Sequence, residues 1–166
     1  NDAFTPANTG LFTMDIWSVA DSAGQGTTIT YTDTTTKMSF VTDYVYGKDY
    51  NTPNGSWQLS RSTGGFEVSS TYDIYADETL YSVDAHIADY SIVGSVVYAI
   101  LYEEDLAGGD PIPLDQSDDY TITPADLGAW INIDFLSSQS LIDGTVYRIA
   151  IGSYMHPTDS VGVDMS

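Results

Sequence analysis

Carboxylates are the side chains of this sequence that are best placed to do chemistry, and they concentrate in one segment. The seven acidic residues of this segment are Glu103, Glu104, Asp105, Asp110, Asp115, Asp118 and Asp119. Glycines and prolines between residues 108 and 113 let the segment fold back on itself. Calcium takes about 6–8 oxygen ligands from carboxylates and loop carbonyls without strict geometry. The pattern therefore predicts either a structural Ca²⁺ site or a solvated acidic loop.

A second candidate site is a group of aromatic residues around the loop-like region 43–56. Its members are Tyr44, Tyr46, Tyr50 and Trp57. Sugars stack on exposed rings that are flanked by hydrogen-bonding side chains, and Asn51, Asn54 and Gln58 are nearby. The group is therefore a candidate carbohydrate-binding site. The alternative interpretation, which we favour, is that the rings fill half-buried strand positions because of their β-propensity.

The sequence contains none of four common catalytic or ligand-binding motifs. The nucleophile elbow, the H-E-x-x-H helix, the P-loop and the EF-hand loop are all absent from the sequence. His86 and His156 are the two histidines; we expect an ordinary strand residue and a loop residue, respectively. Acidic residues are so frequent that no pair of them identifies a glycosidase. We expect a protein that is not an enzyme, and we assign no catalytic residue.

Composition restricts the class further. The chain has 166 residues, a formal net charge of −20 and no cysteine. Its acidity disfavours nucleic acids and anionic membranes as partners, and the missing cysteines exclude thiolate chemistry and disulfides. No apolar run reaches the roughly 20 residues of a membrane-spanning helix, so we expect no membrane insertion. Abundant Ser, Thr and Tyr favour an exported all-β protein. Because the chain starts at Asn1 without a signal pattern, we expect a processed mature chain or an excised segment.

Alternating apolar and polar residues predict about ten strands in a two-sheet antiparallel β-sandwich. We expect a single domain over residues 1–166, with 1–10 as a polar lead-in. The segment 78–104 predicts two strands that meet at Gly94 as antiparallel neighbours, the second of them buried on both faces. The sequence also predicts strands at 11–18 and 130–135, a turn at 33–36, hairpins at 63–65 and 143–144, and one helical turn at 123–127. Residues 103–117 are predicted to be a long loop.

From about Leu80 to Asp159 the chain resembles β-sandwich modules of large exported cell-surface proteins of Bacteroidota, which leave the cell by type IX secretion. The pieces that carry the resemblance are Gly94–Tyr102, Asp119–Thr123, Ala125–Gly128 and the spacing of Leu141, Gly144 and Tyr147. The resemblance implies a jelly-roll-like, non-enzymatic module. It would serve as a structural or adhesive building block of a surface protein or an extracellular fibre. Other protein subunits, copies of the chain itself or surface glycans are the partners expected.

Three short acceptor patterns accompany this resemblance. Ser22, Thr34 and Ser160 each follow an aspartate and precede an apolar residue or threonine. This is the pattern of O-glycosylation in Bacteroidota. A chain so rich in Asp, Ser and Thr would contain about as many matches by chance. The three positions are candidate modification sites only.

Overall fold

The structure is a computed structural model, and it is all-β throughout the residues that it describes. These are residues 8, 10–20, 31–41, 45–47, 55–58, 65–156, 158 and 160–164. The chain divides into two compact units, Asn1–Tyr50 and Asn51–Ser166. The expectation of a single domain with a lead-in at 1–10 stays a prediction. Within the described ranges, no helix is long and apolar enough to cross a membrane.

The first unit contains one antiparallel pair of strands, β1 (Gly10–Ala20) and β2 (Tyr31–Val41). The strand predicted at 11–18 is confirmed. The turn predicted at 33–36 is wrong, because these residues lie inside β2 and pair with residues of β1. Threonine is β-branched and suits an extended backbone, so a run of threonines continues the strand instead of turning it. The sequence also predicts a short strand at 27–31, of which residues 27–30 lie outside the described residues.

The second unit holds two antiparallel sheets. Its strands are β3 (Ser56–Trp57), β4 (Phe66–Asp73), β5 (Glu78–Ile87), β6 (Val96–Glu103), β7 (Ile112–Gln116), β8 (Tyr120–Thr121), β9 (Ala129–Leu141), β10 (Val146–Ser153) and β11 (Val163–Asp164). One sheet, here called the front sheet, has the order β3-β11-β5-β9. The other, the back sheet, has the order β4-β10-β6-β7, and the short β8 also pairs with β6.

The order of the strands is that of a jelly roll. When β8 is left out and the other eight strands of this unit are numbered along the chain, the front sheet consists of the first, eighth, third and sixth strands, in that order across the sheet. The back sheet contains the second, seventh, fourth and fifth. Successive strands thus alternate between sheets except at one hairpin, β6–β7, which is the arrangement of two interlocked Greek keys. The predicted jelly-roll-like β-sandwich is confirmed for this unit.

A single core lies between the two sheets. Both contribute buried side chains to it, Ile87 and Ile133 from the front sheet, and Val97, Leu101 and Tyr147 from the back sheet. The strict alternation predicted for residues 130–135 is confirmed, because β9 buries every second residue there. The prediction that β6 is covered on both faces is confirmed as well: five consecutive residues of this strand are buried.

The pairing predicted between β5 and β6 is wrong. These strands do not pair with each other; β5 pairs with β9 and β11, and β6 pairs with β7, β8 and β10. The connection between them crosses from one sheet to the other. Its backbone forms hydrogen bonds with other segments of the chain: Ile92 N–H donates to the Ser160 carbonyl at 2.9 Å, and Gly94 N–H donates to the Ile122 carbonyl at 2.8 Å. Both strands bury one face in the same core, so they lie opposite each other across it.

Four other connections also differ from their predictions. The hairpins predicted at 63–65 and 143–144 are wrong, because each connection joins strands of different sheets. Asp143 and Gly144 do form a turn, with Gly144 at φ +76°. The loop predicted at 103–117 is shorter than expected, because β7 lies within it. The helical turn predicted at 123–127 is a hydrogen-bonded turn, in which Asp126 accepts hydrogen bonds from Thr123 N–H and Oγ1–H at 2.7 and 2.8 Å.

Candidate functional site

The outer face of the front sheet carries a row of polar and aromatic side chains. Val163 lies directly opposite Ile87 and both are buried, so the neighbouring residues of β11 and β5 face outward. These are Asp164 and His86. The register extends the row to Ser56 on β3 and to Trp130 on β9. Four strands therefore place one outward residue each in a single line across the sheet.

His86 is held from two sides in this row. Its Nδ1 lies 2.7 Å from Asp164 Oδ2, and its ring meets the Trp130 ring edge to face, with centroids 5.3 Å apart at 84°. An ionised carboxylate only accepts hydrogen bonds, so Nδ1 carries the proton and donates. In the neutral ring Nε2 is then an acceptor. Nε2 makes no hydrogen bond to any other described residue, and the His86 side chain is 15% exposed.

A second polar group lies beside the row and begins two residues away along β5 and β9. The amide nitrogen of Asn132 donates to Ser82 Oγ at 2.9 Å and to Asp84 Oδ1 at 2.7 Å. These bonds fix the orientation of the Asn132 side chain and leave its carbonyl oxygen as an acceptor. The second oxygen of Asp84 is an acceptor too. This part of the face consequently offers several oriented acceptors.

Tyr90 closes the other end of the row. Its hydroxyl donates to Ser56 Oγ at 2.7 Å, and its ring lies against Gly162, where a Cβ would come within 3.0 Å of the ring. Tyr90 lies in the connection after β5, yet these contacts hold it against β3 and against the residue that precedes β11. We call the row and its polar neighbours the front-face strip; its residues are Ser56, Ser82, Asp84, His86, Tyr90, Trp130, Asn132 and Asp164.

The outer face of the back sheet is covered by a tyrosine layer, which consists of Tyr98, Tyr102 and Tyr154. The rings of Tyr98 and Tyr154 pack with centroids 4.7 Å apart. Tyr102 donates to Glu67 Oε2 at 2.9 Å, reaching across β10 from β6 to β4. Tyr154 donates to Asp119 Oδ1 at 2.9 Å. The Tyr102–Glu67 bond ties together β6 and β4, two strands that do not pair with each other.

Burial and neighbouring carboxylates raise the pKa values of the tyrosine layer. Burial, followed by the hydrogen bond to Glu67, raises the pKa of Tyr102 to about 12. Burial and the negative charge of Glu67 raise the pKa of Tyr98. The hydrogen bond to Asp119 and then burial raise the pKa of Tyr154. The layer is thus held in its neutral form well above neutral pH.

The acidic residues predicted to hold calcium are dispersed among different partners. Glu104 accepts a hydrogen bond from Arg148 Nε at 2.5 Å, and Asp105 accepts one from Ala107 N–H at 2.8 Å. Asp115 accepts a hydrogen bond from the Gln139 amide at 2.6 Å.

The remaining four are Glu103 at the end of β6, Asp119 bound to Tyr154, and Asp110 and Asp118, which are exposed. Across the ranges that the structure describes, no three or more His, Cys, Asp or Glu side chains form a group that could hold a metal ion.

The predicted aromatic site is described only in part. Tyr44 and Tyr50 lie outside the described residues. Tyr46 is exposed in the first unit, and Trp57 is half exposed on β3 of the second unit. The carbohydrate-binding group around 43–56 stays a prediction. Of the predicted acceptor sites for glycans, Ser22 lies outside the described residues, Thr34 lies inside β2, and Ser160 is partly buried before β11.

Sequence reasoning missed the front-face strip. The alternation of β5 places His86 on the outward face, but its partner Asp164 lies 78 positions further along the chain. The only local signal was a histidine and an asparagine on the polar sides of two alternating strands. No protein-family model and no curated protein sequence matches this chain.

Proposed function

We propose that this chain is a non-catalytic module of an extracellular or cell-surface bacterial protein, and that it acts as an adhesive or structural building block. The observation that carries the proposal is the front-face strip. A jelly-roll sheet presents there a line of oriented polar groups between two half-exposed aromatic rings, Tyr90 and Trp130. Half-exposed aromatic rings beside fixed polar groups are characteristic of recognition surfaces.

Charge and composition support the same proposal. A net charge of −20 keeps a protein soluble outside the cell and disfavours nucleic acid as a partner. The resemblance of residues 80–159 to exported modules of Bacteroidota agrees with this class of function. The partners proposed are other protein subunits, copies of the same chain in a fibre, or glycans on a surface.

An adhesion and assembly assay tests the proposal. The purified chain is coated on beads, and their retention on bacterial and host-cell surfaces is compared with that of beads coated with an unrelated acidic protein. Polymer formation is followed by light scattering at low salt and at physiological salt, because self-repulsion of a chain with −20 charge is screened within about 8 Å at physiological ionic strength. We expect specific retention, assembly, or both. Neither retention nor assembly at either salt concentration would contradict the proposal.

Carbohydrate binding is the second candidate function. Trp57 favours it, since this large aromatic side chain is half exposed on an edge strand next to the region 43–56. Affinity electrophoresis of the wild type and of Trp57→Ala and Tyr46→Ala tests it. Unchanged migration of all three proteins in every polysaccharide gel would exclude the region 43–56 as a glycan site.

A further inference from the structure

We propose that the front-face strip is a binding site for a neutral oligosaccharide, which lies across the four strands of the front sheet between Tyr90 and Trp130. The inference rests on the proposed adhesive function and names the class of ligand that would serve it. It places the site on the outer face of the front sheet, on residues other than the aromatic group Tyr44, Tyr46, Tyr50 and Trp57 that the sequence indicated.

The length of the strip suits an extended ligand. Ser56 and Trp130 lie on the first and the last strand of the sheet, so three strand spacings, roughly 14 Å, separate their backbones. Tyr90 reaches Ser56 with its hydroxyl and so marks one end. The span is too long for a single sugar and fits several linked rings.

Both ends of the strip present an aromatic surface that is fixed in place. Trp130 is 43% exposed and Tyr90 is 46% exposed. The edge-to-face contact with His86 restrains Trp130, while Gly162 and Ser56 restrain Tyr90. The faces of aromatic rings carry partial negative charge and attract the C–H groups of a sugar ring. Because the rings are restrained before binding, little conformational entropy is lost when the ligand arrives.

The centre of the strip is rich in hydrogen-bond acceptors. His86 Nε2, the carbonyl oxygen of Asn132 and the second oxygen of Asp84 all accept. A ligand that matches them must offer several donors along its length, as the hydroxyl groups of a sugar chain do. Anionic ligands are excluded, because Asp84 and Asp164 lie on the strip and no lysine or arginine does.

A cationic peptide is the competing ligand, since acidic residues and tryptophan also attract ammonium groups. The strip favours a sugar because its acceptors are spread over several strands instead of surrounding one ring. The dependence of binding on salt concentration distinguishes the two kinds of ligand. Binding of a polycation weakens steeply with ionic strength, whereas binding of a neutral sugar does not.

The experiment uses the whole chain and defined probes. Affinity electrophoresis is run in gels that contain β-1,3-glucan, mannan, xylan, dextran, heparin or poly-lysine. Titration calorimetry with soluble oligosaccharides then gives the Kd at 50 and 300 mM NaCl. We expect at least one neutral polysaccharide to retard the protein, with less than roughly a twofold change in Kd between the two salt concentrations.

Variants locate the site. Trp130→Ala and Asn132→Ala are expected to raise Kd about tenfold or more, and Trp130→Phe, which keeps a ring, by less. The matched control is Tyr154→Ala, whose half-exposed ring follows β10 of the back sheet. It is expected to change Kd by less than roughly twofold, whereas Trp57→Ala distinguishes this site from the aromatic group that the sequence indicated. Circular dichroism confirms that each variant is folded.

Three results would overturn the inference. The first is retardation by poly-lysine alone, with strong salt dependence. The second is a glycan affinity that Trp57→Ala abolishes and Trp130→Ala leaves unchanged. The third is retention on cells without binding to any neutral polysaccharide, which leaves the adhesive function standing and removes this site. The opposite result, glycan binding by the strip without adhesion or assembly, would remove the proposed function and support the inference.

Discussion

Substituting Gly152 by alanine tests how closely the tyrosine layer covers the back sheet. Gly152 is on β10, directly opposite Tyr98 on β6. A Cβ at this position would come within 3.0 Å of three atoms of the Tyr98 side chain, with its hydroxyl oxygen at 2.7 Å. The φ of Gly152 is not in the left-handed region, so alanine brings no backbone strain. The cost of Gly152→Ala is therefore purely steric.

The magnitude follows from the room that Tyr98 has to move. Its ring is 8% exposed and packs against Tyr154, so moving away from Gly152 would disturb this contact. Overpacking of this kind typically costs about 1–3 kcal/mol. We expect Gly152→Ala to lower the free energy of unfolding by that amount. Urea denaturation, followed by fluorescence and circular dichroism with an unchanged m-value, measures it.

A double-mutant cycle identifies the cause. In a Tyr98→Ala background the clashing atoms are gone, so adding Gly152→Ala should be neutral or should stabilise by up to ~1 kcal/mol. Gly144→Ala is the control for backbone strain alone, because Gly144 has φ +76° and, its two chain neighbours apart, no atom of the described residues lies within 4 Å of the position of an added Cβ. It should cost about 1–2 kcal/mol in either background. If Gly152→Ala costs the same with and without the Tyr98 ring, the steric reasoning is refuted.

Three further outcomes are expected. In the folded protein the pKa of Tyr102 is raised to about 12 from 10.0, so the stability that Tyr102 contributes is complete below pH 10 and is lost as the pH rises toward 12. Urea unfolding should therefore show that the free energy of unfolding falls between pH 9 and pH 11, and that it falls less in Tyr102→Phe. Burial acts to raise the pKa of Asp126, but its hydrogen bonds from Thr123 outweigh burial and lower it. Stability from Asp126 is therefore present above its unfolded pKa and lost as the pH falls through the lower folded value, so Asp126→Asn should cost about 1 kcal/mol at pH 7 and flatten the acid limb of the stability curve. If the segment 103–119 binds calcium, thermal scans should show a larger rise in Tm with Ca²⁺ than with Mg²⁺ at equal ionic strength. The double variant Asp118→Asn, Asp119→Asn should abolish this difference. Equal rises in Tm with the two ions would mean that they only screen the negative charge.

Several elements of the fold could be predicted from the sequence because they depend on local periodicity. The alternation at 130–135 and the unbroken apolar run of β6 reflect how each strand divides its side chains between core and solvent. The same alternation predicts that Tyr81 faces the core together with Val83 and Ala85, and this prediction is wrong. A register shift between Leu80 and Ser82 moves Leu80 toward the core and leaves Tyr81 66% exposed. A bulge of this kind depends on the partner strand and has no local signature.

The pairing of strands was decided only by the tertiary structure. A short connection such as Ser91–Gly94 can close a hairpin within one sheet or cross between two sheets, and the alternation of the flanking strands is the same in both cases. Burial of β5 and β6 against each other across the core selects the crossing. The front-face strip has the same origin. His86 was known from its own strand to face outward, but Asp164 meets it only because Val163 pairs with Ile87, a contact that long-range packing alone determines.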